Sequence, residues 1–441
     1  MIFSFPSIAD IMFEKLFQLK KNGTNTRTEV IAGITTFMTM AYILTVNPFI
    51  LSSSGMDRDA VFTATVLSSF IAIMIMAFYA NLPIAIAPGM GLNAFFAYTV
   101  VIQMGYSWEM ALTAVFIEGI IFILLTFFKV REAIIDSIPL NLKYAISVGI
   151  GLFIALIGFS NAGIIVKNEA TLVSLGDLTS PQVLLALVGI IITGILLVFR
   201  MKGALVVGII ITAALGIPFG ITQLPEHGFV SLPPSLGPVF FKFDFSKVFT
   251  TDMLAVIFTF LFVDIFDTVG TLVGVCSKAN LLDNQGGVPR ARQALFADAV
   301  GTTAGAILGT SALTAYVESA AGVSEGGRTG LTSLTVGFLF LIALFFSPFF
   351  LMVPSAATAP ALVVVGLFMI SPIQKINLDD YSESLPVFLT IIIMPLAYSI
   401  SEGIAFGMLS YVLIKLFTGK WKEISIVMYI LAVFFMIKHL L

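Results

Sequence analysis

The chain has 441 residues, 59% of them hydrophobic and only 11% charged, with a mean hydropathy of +1.07 and a formal net charge of −3. Soluble domains carry about 25% charged residues, so these values exclude a water-exposed globule and indicate an all-α polytopic membrane protein. One cysteine, Cys276, excludes an internal disulfide, and two histidines, His227 in a loop and His439 near the C-terminus, form no metal or haem pattern, so no cofactor is expected.

The N-terminal stretch, 1–28, is polar ("KLFQLKKNGTNTRTEV") and carries no cleavable signal pattern, so the first span is expected to stay in the mature protein. Apolar runs of about 17–22 residues follow, each long enough as a helix to cross a hydrocarbon core about 30 Å thick. They lie near 29–51, 60–80, 84–103, 108–128, 142–160, 182–200 and 203–220. A polar, proline-rich connection, 221–250, interrupts them ("ITQLPEHGFVSLPPSLGPVFF"). They resume near 251–275, 293–309, 311–328, 330–352, 355–371, 385–401 and 403–418, about fourteen segments in all. A last apolar run, 424–441 within the terminal 419–441, either crosses the membrane or lies along its surface.

Lysine and arginine placement sets orientation. Lys15, Lys20, Lys21 and Arg27 precede the first span, Lys129 and Arg131 follow the fourth, and Arg200 and Lys202 follow the sixth. Arg290 and Arg292 precede the ninth, and Lys415, Lys420 and Lys422 close the fourteenth. A fourteen-span count puts all of them on one side, the cytoplasm, with the N-terminus inside.

The connection splits the spans seven and seven, into 29–220 and 251–418. "ITTFMTMAYILTVNP" (34–48) aligns with "IFTFLFVDIFDTVGT" (257–271), and "KGALVVGIII" (202–211) resembles "EGIAFGMLSY" (402–411). Because seven is odd, two such repeats enter the membrane with opposite orientation, an arrangement suited to alternating-access carriers.

Two segments in matching places break the helical pattern. In "IAIAPGMGLNAFFAY" (84–98), Pro88, Gly89 and Gly91 follow a short run able to sit as a strand. In "GTSALTAYVESAAGVSEGGRTG" (309–330), small and β-branched residues precede Glu318. Irregular backbone at membrane depth is tolerated only against protein or a water-filled cavity, and paired breaks point to a transporter's substrate site. Half-helices beginning near Gly91 and Glu318 offer free backbone N–H groups to a polar, planar solute.

The acids strengthen that reading, because each costs roughly 2.5–3.5 kcal/mol at the centre of a membrane helix. In "FVDIFDTVGT" (262–271), Asp264 and Asp267 share a helix face that Thr271 extends. With Glu318 at one break and Asn93 at the other, these groups accept or donate hydrogen bonds according to protonation. Asp264, Asp267 and Glu318 are therefore candidates for binding and releasing a proton. Glu118 and Asp298 divide evenly between helix–helix hydrogen bonding and function. Glu325 and Arg328 are expected to pair, and Gly270, Gly274, Gly301, Gly305 and Gly309 to form close-packing faces.

"AGITTFMTMAYILTVNP" (32–48), "APGMGLNAFFAY" (87–98), "FVDIFDTVGTL" (262–272) and "SALTAYVESAAGVSEGGRTGL" (311–331) resemble the AzgA-like purine permeases of the nucleobase–ascorbate transporter superfamily. The resemblance covers nearly the whole chain. It implies proton-coupled uptake of hypoxanthine, guanine and adenine in the cell membrane. It also implies a core domain of spans 1–4 and 8–11, a gate domain of spans 5–7 and 12–14, and short antiparallel strands in spans 3 and 10. By motif, Asp264 and Glu318 match the principal substrate-binding carboxylates, Asp267 and Asn93 neighbouring functional positions, and Gly89 part of the span 3 break. Glu318–Ser319 stands where the xanthine- and uracil-type branch has a glutamate–asparagine pair, which favours the AzgA-like branch. The expected partners are a purine base and the lipid bilayer, with a homodimer left open and no nucleic acid. Alternatives are a xanthine or uracil carrier, an anion carrier on the same fold, a uniporter or channel and, remotely, an intramembrane aspartyl protease. Two acids on one helix and the absence of a "GxGD" sequence count against the protease.

Overall fold

The computed structural model describes residues 8–127, 138–226, 228–282 and 287–440; Lys129, Arg131 and His227 of the sequence reading lie outside them. After a short amphipathic helix α1 (Ile8–Phe17), span 1 runs as α2 (Thr26–Met40) and α3 (Ile43–Ser52), separated by a turn at Ala41 and Tyr42. The Asn25 side chain caps α2 by accepting from Thr28 N–H at 3.0 Å. Span 2 is α4 (Arg58–Ile75), which ends in a π-helical turn over Met76–Ala80.

Span 3 is the first break. Strand β1 (Ile86–Pro88) leads through Gly89 into α5 (Met90–Ala94), which widens into a π-helix over Phe95–Gln103. Helices α6 (Trp108–Phe127) and α7 (Leu140–Asn161) follow. A hairpin of β2 (Ile165–Asn168) and β3 (Leu172–Leu175), absent from the sequence reading, then leads to α8 (Pro181–Val198) and α9 (Ala204–Gly216). The connection 221–250 contains no helix or strand among its described residues.

The second half opens with one 28-residue helix, α10 (Thr251–Lys278), then α11 (Ala291–Leu308). The second break places β4 (Leu313–Ala315) before α12 (Ser319–Ser324). Helices α13 (Gly330–Ala343), α14 (Ser347–Leu351), α15 (Ser355–Ile370), α16 (Tyr381–Leu396), α17 (Ile400–Phe417) and α18 (Ile426–Leu440) complete the chain. Among the described residues, nine helical segments are long and apolar enough to cross a membrane, and the shorter apolar helices include the broken span 3 and α18.

The helices pack as two groups. One holds α2 to α6 with α10 to α13; the other holds α7 to α9 with α15 to α17, and contacts are dense within each and sparse between them. Small residues permit the closest approaches inside a bilayer. A Cβ on Gly151 of α7 would lie 2.7 Å from the Gly366 carbonyl of α15, so these helices touch backbone to backbone. Gly301 and Gly305 likewise pack tightly, against Ala72 and Leu313. Gly270 and Gly274 do not, because a Cβ on either would meet nothing within 4 Å. Helix α18 packs on α17 and reaches α10, where Phe434 and Phe435 pack against Phe258.

The expected Glu325–Arg328 pair is absent. Glu325 instead forms an ion pair with Lys202, which joins the two helix groups. Arg328 turns to backbone, donating to the carbonyls of Val323 at 2.8 Å and Gly327 at 2.7 Å. A single turn beyond α12 does not hold its side chains at helical spacing, so the i, i+3 rule fails there.

Candidate functional site

The two breaks meet. β1 and β4 pair antiparallel with Ile86 opposite Ala315, Ala87 opposite Thr314 and Pro88 opposite Leu313. Gly89 N–H donates to Ala312 O at 3.0 Å and Tyr316 N–H to Ala85 O at 2.9 Å, extending the ladder at both ends. Pro88 has no N–H to give, which a three-residue pair tolerates at its margin. Gly89 is required by space rather than by conformation. A Cβ there would stand 2.8 Å from Thr314 Cγ2 and 3.0 Å from its Oγ1.

From this crossing α5 and α12 run apart, so their first turns face the same region. A cavity of about 70 Å³ lies there, lined by Tyr42, Gly91, Asp267, Thr314, Tyr316, Glu318 and, from α15 of the other group, Val365, Phe368 and Met369. Asp267 and Glu318 therefore face one cavity from different elements, close enough to interact electrostatically. Asp267 and Thr314 lie on the same cavity wall. Glu318 Oε1 accepts from the Tyr42 hydroxyl at 2.7 Å, and the Tyr316 hydroxyl donates to Pro88 O at 2.6 Å. Sequence reasoning missed Tyr42 and Tyr316; the only available signal was that Tyr42 falls in a motif aligned with the acidic stretch of span 8.

The other candidates take different places. Asp264 is fully buried and does not line this cavity. It packs with Glu118 of α6 and Asp298 of α11, both also fully buried. Thr268 sits between them, donating to Asp298 Oδ2 at 2.7 Å, with Asp264 Oδ1 at 3.4 Å, while Ala315 N–H of β4 approaches the same hydroxyl at 3.4 Å. The geometry thus divides the acids into a facing pair, Asp267 and Glu318, and a deeper trio one helix turn along. Ser319 is also buried; its hydroxyl accepts from Ala85 N–H at 3.0 Å, which ties α12 to the start of β1. Asn93 is buried in α5, and neither its Oδ1 nor its Nδ2 has a hydrogen-bond partner among the described residues.

A larger cavity of about 290 Å³ lies elsewhere, between Thr99, Gln103, Asp252, Ser399, Ser401 and Glu402. Asp252 is about 22 Å along α10 from Asp267 at 1.5 Å per residue, so this space is separate from the acid pair. Among the described residues no cluster of His, Cys, Asp or Glu is arranged to hold a metal ion.

Comparison with known proteins agrees with this architecture. The model of the Permease family named Xan_ur_permease matches residues 27–406. The chain is 45% identical to the adenine permease AdeQ of Escherichia coli, over 97% of this chain and 96% of that protein. It is 46% identical to the guanine/hypoxanthine permease PbuO of Bacillus subtilis, over 96% and 99% respectively. Among solved structures, the transmembrane domain of the cyanobacterial bicarbonate transporter BicA superposes with a TM-score of 0.66 at 15% identity, covering 86% of this chain and 96% of that one. The last of these shows a shared fold and no more. The multiple apolar helices, the two breaks that cross in mid-bundle and the family match lead to one conclusion: the chain belongs to the Xan_ur_permease family of the nucleobase–ascorbate transporter superfamily and is a multi-pass membrane transporter, not an enzyme.

Proposed function

We propose that this protein takes up purine nucleobases across the cell membrane together with protons, by alternating access between the two helix groups. The observation that carries this reading is the placing of Asp267 and Glu318 on one cavity where two backbone breaks meet. Carboxyl groups there accept from the N–H donors of a flat heterocycle when ionised and donate when protonated. Gly91 and Thr314 lie on the same wall. The names of the adenine and guanine/hypoxanthine permeases supply the substrate class.

At about 70 Å³ the cavity is well below the roughly 300 Å³ at which ligand pockets begin. Substrate enters, on this reading, when α15 with Val365 and Met369 withdraws. The first group then acts as core and the second as gate. Asp267 and Glu318 bind substrate and exchange the coupling proton, with Asn93 supplying a buried amide that has no hydrogen-bond partner among the described residues. Asp264 holds a proton behind the strands with Glu118 and Asp298. Gly89 and Ser319 keep the crossing in register. The N-terminus lies in the cytoplasm, no cofactor takes part, and a homodimer is compatible with the scheme. An anion carrier on the same fold is disfavoured, because two carboxylates on the cavity wall repel an anion.

The test is uptake of labelled hypoxanthine, guanine and adenine in cells lacking their own carriers, with and without an imposed proton gradient. Gradient-dependent accumulation is expected from the wild type. Asp267→Asn and Glu318→Gln are expected to lose more than 90% of it (about 1.4 kcal/mol per tenfold) at normal membrane levels. Full uptake by both variants removes the site assignment, and uptake that survives collapse of the gradient but stops at the external concentration replaces symport with a uniporter.

A further inference from the structure

We infer that Tyr42 is a positioning residue for substrate capture, fixing the Glu318 carboxyl so that it meets an incoming base in one orientation. This rests on the purine-transport reading of the same cavity. Span 1 tightens into a turn at Ala41 and Tyr42, whose backbone stays right-handed helical, and from there the Tyr42 hydroxyl reaches the Glu318 side chain just before α12. The ring is 2% exposed and lines the cavity beside Asp267, Thr314 and Glu318. Its hydroxyl donates to Glu318 Oε1 at 2.7 Å, while the nearby Thr39 hydroxyl gives its proton to Thr36 O at 2.8 Å within its own helix. Span 1 therefore holds Glu318 through its side chain. Glutamate is among the side chains with the most rotamer freedom to lose on binding. A carboxyl already anchored has lost that freedom before the base arrives, which is the general benefit of a preorganised site.

The second phenol on the wall serves a different purpose. Tyr316 spends its hydroxyl on the Pro88 carbonyl and so secures the β1 break rather than an acid. Span 8, which aligns with span 1, runs unbroken as α10 and brings Asp267 to the wall by helical position alone. Span 1 thus brings a hydroxyl donor to the acid of the opposite half.

Tyr42→Phe removes one oxygen and keeps the ring. In whole-cell uptake, KM for the transported purine is expected to rise about tenfold, as for loss of one hydrogen bond to a charged group. Vmax is expected to stay within about twofold, a loss of binding rather than of turnover. The purified variant should melt at the wild-type temperature, with a reduced shift on adding that purine. An unchanged KM, or a lowered melting temperature with an unchanged KM, overturns the inference. If the phenylalanine variant does not reach the membrane, Tyr42→His decides; its shorter ring no longer reaches Glu318, so the same KM rise is expected and a wild-type KM overturns the role. A wild type that carries no purine defeats the transport reading itself, whereas purine uptake that ignores the hydroxyl defeats only the role of Tyr42.

Discussion

Asp264 and Asp267 differ by three residues on α10 yet meet different surroundings. Three residues are 300° of helical rotation, so the two side chains diverge by about 60°. That angle directs Asp267 to the cavity and Asp264 into the contact with α6 and α11. Thr268 connects the two environments, since its hydroxyl faces Asp298 and Asp264 and also the Ala315 N–H of β4. Removing a buried partner costs about 1–3 kcal/mol, so Thr268→Val is expected to lower the melting temperature by several degrees and to reduce uptake. Wild-type melting with wild-type uptake would show the hydroxyl to be dispensable. Both acids were visible in the sequence, as was their shared stripe. Which of them faces substrate was not, because a 60° difference is resolved only by the neighbours that occupy each side.

At the scale of elements, the crossing of β1 and β4 depends on a few exact fits. Gly89→Ala would put a methyl group 2.8 Å from Thr314 Cγ2, where something must shift. Overpacking of this kind costs typically 1–3 kcal/mol, and here it falls on the pair that sets the cavity wall. Uptake is expected to fall at least tenfold while the protein still reaches the membrane; normal uptake would mean that the strands can part without harm. A second element depends on Glu29, a buried carboxylate unremarked in the sequence reading. It accepts from the N–H groups of Arg328 at 2.8 Å, Thr329 at 3.3 Å and Thr332 at 3.1 Å, and from the Thr332 hydroxyl at 2.6 Å. It thereby takes the Thr332 N–H of the first turn of α13 and the two N–H groups just before that helix, where a negative charge also suits the helix dipole. Glu29→Gln loses that charge and gains a misplaced donor, and a detergent melt should show it less stable by roughly 2 kcal/mol. An unchanged melt would assign the cap to the Thr329 hydroxyl, which accepts from Leu331 N–H at 3.3 Å.

For the whole molecule, the sparse contacts between the two helix groups are the informative ones. At the end where α10 begins, Thr99 Oγ1 donates to Tyr398 O at 3.1 Å and Gln103 Nε2 to Ala397 O at 3.0 Å. Asn161 Nδ2 donates to the Tyr98 hydroxyl at 2.8 Å, and the Tyr398 ring packs edge-on against Tyr98 and Phe153. At the other end the Lys202–Glu325 ion pair spans the same boundary. A carrier whose groups move past one another must break such links in turn. In a Cys276→Ala background, cross-linking Lys202→Cys to Glu325→Cys is expected to stop uptake, and reduction to restore it. A cross-linked carrier that still transports at the wild-type rate would show that the two groups do not separate there.

The sequence by itself determined what bulk chemistry and local rules control. Hydropathy counts give the spans because hydrocarbon admits only backbone that is hydrogen-bonded within its own segment. Pro88, Gly89 and Gly91 mark one break, and a β-branched run before Glu318 marks the other, because these residues bias the backbone locally. The hairpin at 165–175 escaped notice because it is short and set among apolar spans. Tertiary structure alone decided which side chains face one another across hundreds of residues: Tyr42 with Glu318, Lys202 with Glu325, Glu29 with the start of α13. It also decided that Gly301 is a close contact while Gly270 is not. The physical reason is that a helix presents all its faces equally in sequence, and only packing against particular neighbours assigns each face to lipid, partner or cavity.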